Sequence, residues 1–253
     1  MLNPAEFVEA YGKIGAEKTR NSLGALFLGG VLAGFYIAMG ALAASIGAHA
    51  LDNLSLARLV SGMLFPCGLA LVILTGGELF TGNCLIVISV LERKAAAAKM
   101  IRNLIIVYIG NFIGAFLLAL AAAYGGVFTH GTLANYAVLT AVNKCSLPFG
   151  RAVVLGILCN ILVCAGVMCS LCAKTVPGRI LGAFVPVSLF VIGGFENCVA
   201  NMYYIPIGLF AGAEEVTWRA FLLGNLVPVT LGNLLGGMGF GGLIWLCHRT
   251  EDA

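Results

Sequence analysis

Two glutamates stand where a charge is hardest to keep. Glu78 lies in "TGGELFTGN" (75–83) and Glu196 in "GGFENCVAN" (193–201). Each follows glycines, and each precedes an asparagine by five residues, Asn83 and Asn201. Across residues 180–213 Glu196 is the only formal charge, with Asn197 beside it. Carboxylates and amides in such a setting can serve catalysis, conduct ions or protons, or satisfy backbone that has left a helix. An integral membrane enzyme needs a nucleophile–base pair or a metal cluster. No histidine lies within an apolar run: His49, His130 and His248 all sit near the edges. Cys169 and Cys172 form C-x-x-C without a histidine or second pair, so neither metal nor cofactor is expected. A scaffold or receptor has no need of two matched polar breaks. Ionisable residues at membrane depth read by default as part of an ion path. Here each glutamate opens a half-helix whose freed N–H groups its carboxylate could accept. Glu78, Asn83, Glu196 and Asn201 are therefore read as structural residues of two broken helices.

The elements that must hold these residues are apolar spans. Of 253 residues 60% are hydrophobic and only 10% charged, against about 25% charged in soluble domains. Mean hydropathy is +1.02, which places the chain in a lipid bilayer. Uncharged runs at 23–48, 152–173 and 220–247 each exceed the roughly 20 residues that cross a bilayer. Residues 103–143 hold another, and 59–91 and 180–213 are spans broken once each by a glutamate. Six spans result, an all-α integral membrane protein. The net charge of +3 is too small to argue for nucleic acid. With six spans both termini share a side, and that side carries ten of the fourteen basic residues, so both termini are expected in the cytoplasm of a multi-pass plasma-membrane protein. Eight of nine cysteines lie in the spans and read as packing.

The spans repeat. Asn103, Gly110, Asn111 and Gly114 recur as Asn225, Gly232, Asn233 and Gly236, 122 residues on. Phe27, Val31 and Gly34 match Phe149, Val153 and Gly156 at the same shift, and Pro66, Glu78 and Asn83 answer Pro186, Glu196 and Asn201. Three spans per repeat is an odd number, so the second half must be inverted, an arrangement that places a substrate path at the repeat interface beside discontinuous helices. The boundaries expected are a cytoplasmic amphipathic helix (1–20), a first repeat (21–126), a connecting segment (127–147) and a second repeat (148–249), in one transmembrane domain (1–253). Asn111 and Asn233 read as interhelical glue. "NPA" occurs only at residues 3–5, where Asn at N-cap and Pro at N1 start a helix.

"GGELFTGN" (76–83), "KCSLPFGRAVVLGILCNILVC" (144–164), "GFENCVANMYYIP" (194–206) and "GNLVPVTLGN" (224–233) together resemble the formate–nitrite transporter family over nearly the whole chain. The resemblance implies an aquaporin-like 3+3 protomer with helices two and five broken, assembled as a homopentamer with a pore in each protomer. It implies passive or proton-linked passage of small monovalent anions, with formate first and hydrosulfide or nitrite as the alternatives. By that resemblance Thr81 and Asn197 mark the pore centre. Lys144 and Asn160 attract the anion, Phe65 and Phe190 form the outer constriction, and Leu69 and Leu79 the inner one. Hydrophobic rings around a polar waist would gate by dewetting. One position departs: where the family usually reads Gly-Phe-Glu-His, this chain has Asn197, which cannot titrate.

Overall fold

The computed structural model describes residues 1–128 and 131–249, so His130 lies outside the described residues. Helix α1 (Pro4–Lys18) begins with a full capping box: Asn3 accepts from the Glu6 N–H, and Glu6 returns the bond to the Asn3 N–H. Helix α2 (Leu23–Ala48) is the first span. The second is assembled from α3 (Leu54–Leu64), α4 (Cys67–Thr75), α5 (Phe80–Asn83), a 3₁₀ turn (Cys84–Ile86) and α6 (Val87–Leu91). Helix α7 (Ala97–Tyr124) completes the first half. The connecting segment is itself helical, α8 (Gly131–Cys145), and packs on a half-helix of span five. Then follow α9 (Phe149–Cys172), α10 (Val176–Ile192), α11 (Cys198–Phe210), a π-helical turn (Ala220–Leu226) and α12 (Val227–His248).

Among the described residues five helical stretches are long and apolar enough to cross a membrane, and the shorter apolar helices α10 and α11 fit a sixth, broken span. Both breaks are built alike. Gly76 ends α4 in the left-handed region (φ 74°), and Gly194 after α10 does the same (φ 69°), a conformation glycine adopts without a Cβ penalty. The next amide turns back on its own helix: Gly77 N–H donates to Val72 O at 2.9 Å, and Phe195 N–H to Phe190 O at 3.0 Å. Large apolar side chains such as Leu28, Leu181, Leu235 and Leu243 face outward, a surface suited to lipid rather than water.

Spans one and three, and four and six, cross at close range. A Cβ on Gly34 would overlap Asn111 O, and one on Gly232 would overlap Val153 O. These contacts correct the repeat register. Asn111 Nδ2 donates to Gly30 O (2.7 Å) and Asn233 Nδ2 to Gly156 O (2.8 Å), which makes Gly30 the mate of Gly156, a shift of 126 rather than the expected 122. The error is one helical turn. Four residues advance a helix by about 1.1 turns, so a pattern displaced by four still falls on nearly the same face. The mate of Gly34 is therefore Asn160.

Candidate functional site

The two breaks converge on the middle of the protein. Each is clamped by one asparagine from span three or six. Asn111 Oδ1 accepts the Phe80 N–H (2.8 Å) while its Nδ2 donates to Glu78 O (2.9 Å). Asn233 repeats this with Cys198 N–H (2.9 Å) and Glu196 O (2.9 Å). Backbone exposed at membrane depth is thus satisfied by protein. Among the described residues the glutamate carboxylates accept no backbone N–H, contrary to the expectation from their helix-start position; side chains occupy them instead.

Those side chains close a ring in each half. Lys144 Nζ donates to Glu196 Oε1 and Oε2 (2.9 and 3.0 Å), and Asn201 Nδ2 to Glu196 Oε2 (2.6 Å). Asn201 Nδ2 also donates to Asn225 Oδ1 (2.8 Å), whose Nδ2 returns to Lys144 O (2.8 Å). In the other half Lys18 Nζ donates to Glu78 Oε2 (2.7 Å), Asn83 Nδ2 to Glu78 Oε2 (2.7 Å) and to Asn103 Oδ1 (2.9 Å), and Asn103 Nδ2 to Lys18 O (3.1 Å). Both glutamates are under 10% exposed, and buried charge survives only when paired and hydrogen-bonded. Lys18 is the partner that sequence reasoning missed. Its signal was present: it precedes Lys144 by 126 residues, the structural register.

Three spaces adjoin these rings and share lining residues. A vestibule of about 360 Å³ opens beside Lys144, Glu196 and Asn197, and is lined also by Phe65, Phe190 and Arg58. A second, of about 210 Å³, is lined by Lys18, Asn83, Leu69 and Leu79, with Tyr11 and Ile14 of α1. Between them a neck of only about 10 Å³ touches residues from both vestibules. Its wall is built from the two halves in pairs, Ile37 with Val163, Leu69 with Val187, and Leu79 with Asn197. Phe65 and Phe190 close it edge-to-face, ring centroids 5.5 Å apart. Such a volume is about that needed for one water.

Leu79 and Asn197 are the N-caps of α5 and α11, and here the halves differ. Leu79 offers no cap. Asn197 Oδ1 accepts from the Val199 N–H (3.0 Å) and the Ala200 N–H (3.1 Å), which leaves Nδ2, a pure donor, outside the cap, and the residue lines both the Lys144 vestibule and the neck. Thr81 lines none of the three spaces; its hydroxyl is fully buried without a partner, while its carbonyl accepts from Asn160 Nδ2 (3.2 Å). Asn160 also donates to Asn233 O (2.7 Å), so its amide ties the two breaks together and does not line a vestibule. Helix α1 is amphipathic, but its apolar face packs on protein: Tyr11 hydroxyl donates to Gly82 O (3.4 Å) and Ser89 hydroxyl to Tyr11 O (3.2 Å).

The family model described as formate/nitrite transporter matches residues 5–247. The chain belongs to the formate/nitrite transporter family. It is 35% identical over 270 residues to a probable formate transporter of Methanothermobacter thermautotrophicus, covering 98% of both chains. Among solved structures it superposes on a pentameric formate channel with formate bound (TM-score 0.82, 29% identity, 89% of this chain and 96% of that one). It superposes also on an FNT family ion channel (TM-score 0.90, 27% identity, 97% and 99%). The family is one of channels and transporters, so the inverted 3+3 fold here serves transport rather than enzymatic turnover.

Proposed function

We propose that this protein conducts small monovalent anions, formate first, along the line from the Lys144 vestibule through the neck to the Lys18 vestibule. The observation that carries this is an apolar neck with a single polar end, the Asn197 amide N–H donors, set between two vestibules that each contain a lysine. Donors without acceptors favour an anion over a cation. The Lys144 side faces outward and the termini inward, in keeping with the excess of basic residues on the terminal side. The protomer assembles as a homopentamer, as the related formate channel does.

Phe65 and Phe190 form the outer barrier and Leu69 and Leu79 the inner one. At about 10 Å³ the neck does not admit formate as it stands, so passage requires the aromatic pair to swing apart. Thr81 lines none of the three spaces, so its unpartnered hydroxyl meets a passing anion only once the neck has opened. Asn197 does not titrate, so any proton travelling with the anion comes from bulk water in a vestibule. The residues 1–20, 21–126, 127–147 and 148–249 act as one transmembrane unit.

Proteoliposome flux of formate, nitrite and hydrosulfide from pH 5 to 8, for wild type and Asn197→His, tests this reading. Wild type is expected to carry formate without a step in the pH profile, and the histidine variant to gain one. Absence of flux for all three anions in wild type would overturn the function. Faster nitrite or hydrosulfide than formate would reassign the substrate.

A further inference from the structure

The Lys144 vestibule contains two cations that differ in one respect. Lys144 is compensated: both Glu196 oxygens lie within 3.0 Å of its ammonium, which also sits 5.3 Å above the Tyr204 ring. Arg58, in the first turns of α3, lines the same vestibule and is exposed. Among the described residues it makes no ion pair and no hydrogen bond. Its guanidinium points at the break in span five, 3.8 Å from where a Cβ of Gly194 would stand. Asp52 and His49 also line this vestibule, and neither forms an ion pair with it.

An ion-paired lysine presents little net charge to an approaching anion, whereas an unpaired guanidinium presents a full charge and five donors in a planar fork. The vestibule, at about 360 Å³, is roughly ten times the share of liquid volume of one water, so an anion can enter hydrated and be caught before the neck strips it. We infer that Arg58 forms an anion-capture site at the mouth of the Lys144 vestibule. Its fork selects planar two-oxygen anions, carboxylates and nitrite, over single-centre anions such as hydrosulfide and chloride. This inference rests on the proposed direction of conduction, but the site itself is a binding property.

Two readouts separate the site from the conduction. The first is phenylglyoxal modification of Arg58 in the detergent-solubilised protein, followed by peptide mass spectrometry, with Arg151 as an exposed control outside the vestibule. Formate at low ionic strength is expected to slow modification of Arg58 and not of Arg151, and chloride at equal concentration to protect less. The second is formate influx from the Lys144 side. Arg58→Gln is expected to raise the half-saturating concentration about two- to five-fold, the range of one solvent-exposed charge pair. The shift shrinks in 0.5 M salt. Arg58→Lys keeps the charge and lies between, serving as the test where the glutamine variant does not assemble. Arg151→Gln matches wild type. Equal protection of both arginines, or an Arg58→Gln half-saturation equal to wild type, overturns the inference. Protection of Arg58 in a protein that carries no formate would leave the site standing and remove the proposed function.

Discussion

Replacing Glu196 by Gln removes the counter-charge of Lys144 while keeping a side chain of the same length. The amide oxygen can still accept from Asn201 and Lys144, so the perturbation is electrostatic. The Lys144 and Glu196 side chains are 15% and 7% exposed, nearer to a buried pair than to a surface one. Breaking one partner of a buried pair costs about 3–5 kcal/mol, and exposed pairs contribute about 0.2–1 kcal/mol. With water in the vestibule on one side, about 3 kcal/mol is the expected loss for Glu196→Gln. In a protein of this size that lowers the unfolding midpoint by about 6–12 °C. Lys144→Met, which strands the carboxylate, should lose a similar amount. The double variant has no uncompensated charge and is expected to lose less than either single variant, so that the coupling exceeds about 3 kcal/mol. Scanning fluorimetry of the four detergent-solubilised proteins measures the cycle. Single variants that melt with wild type, or a double variant that loses the sum of the two, would refute the closed Lys–Glu–Asn–Asn ring as a stabilising unit.

Asn197→Asp keeps an oxygen to cap α11 and exchanges the Nδ2 donor for a carboxylate; formate flux at pH 7 should fall at least about tenfold, about 1.4 kcal/mol of barrier, while the oligomer still elutes intact. Flux unchanged by this substitution would remove Asn197 from the neck. Asn160→Ala withdraws donors from the carbonyls of Thr81 and Asn233, and is expected to lower stability by about 1–3 kcal/mol in the same melting assay. Gly34→Ala drives a methyl into the Asn111 backbone and should cost about 1–3 kcal/mol or prevent assembly, whereas Gly24→Ala, with nothing within 4 Å of its Cβ, should fall within about 0.5 kcal/mol of wild type. Both are checked by expression level and melting temperature.

Much of this molecule is legible in one dimension because its strongest determinants are local. A run of about 20 uncharged residues must span the bilayer as a helix, whatever its neighbours are. Glycine pairs followed by a lone glutamate mark where such a helix must stop, as Gly76 and Gly194 do with their left-handed φ. The recurrence of Glu-x₄-Asn and of Asn-x₇-Asn-x₂-Gly declares the inverted repeat, and the family resemblance follows from the same motifs. What remained hidden depends on contacts between distant residues. The repeat register in spans one and four was misplaced by a turn because helical periodicity leaves a four-residue slip nearly invisible. The ring partners Lys18 and Asn103 stand 60 and 20 residues from the side chains they brace, and Lys18 becomes legible as the mate of Lys144 only through the 126-residue register that the fold supplies. The glutamate carboxylates face lysine and asparagine rather than backbone because Asn111 and Asn233 reach the half-helix N–H groups first. Nor could the sequence say which end of the Asn197 amide is taken up by the cap. Only the fold, by giving its oxygen to the α11 N-terminus, turns a two-faced side chain into a donor.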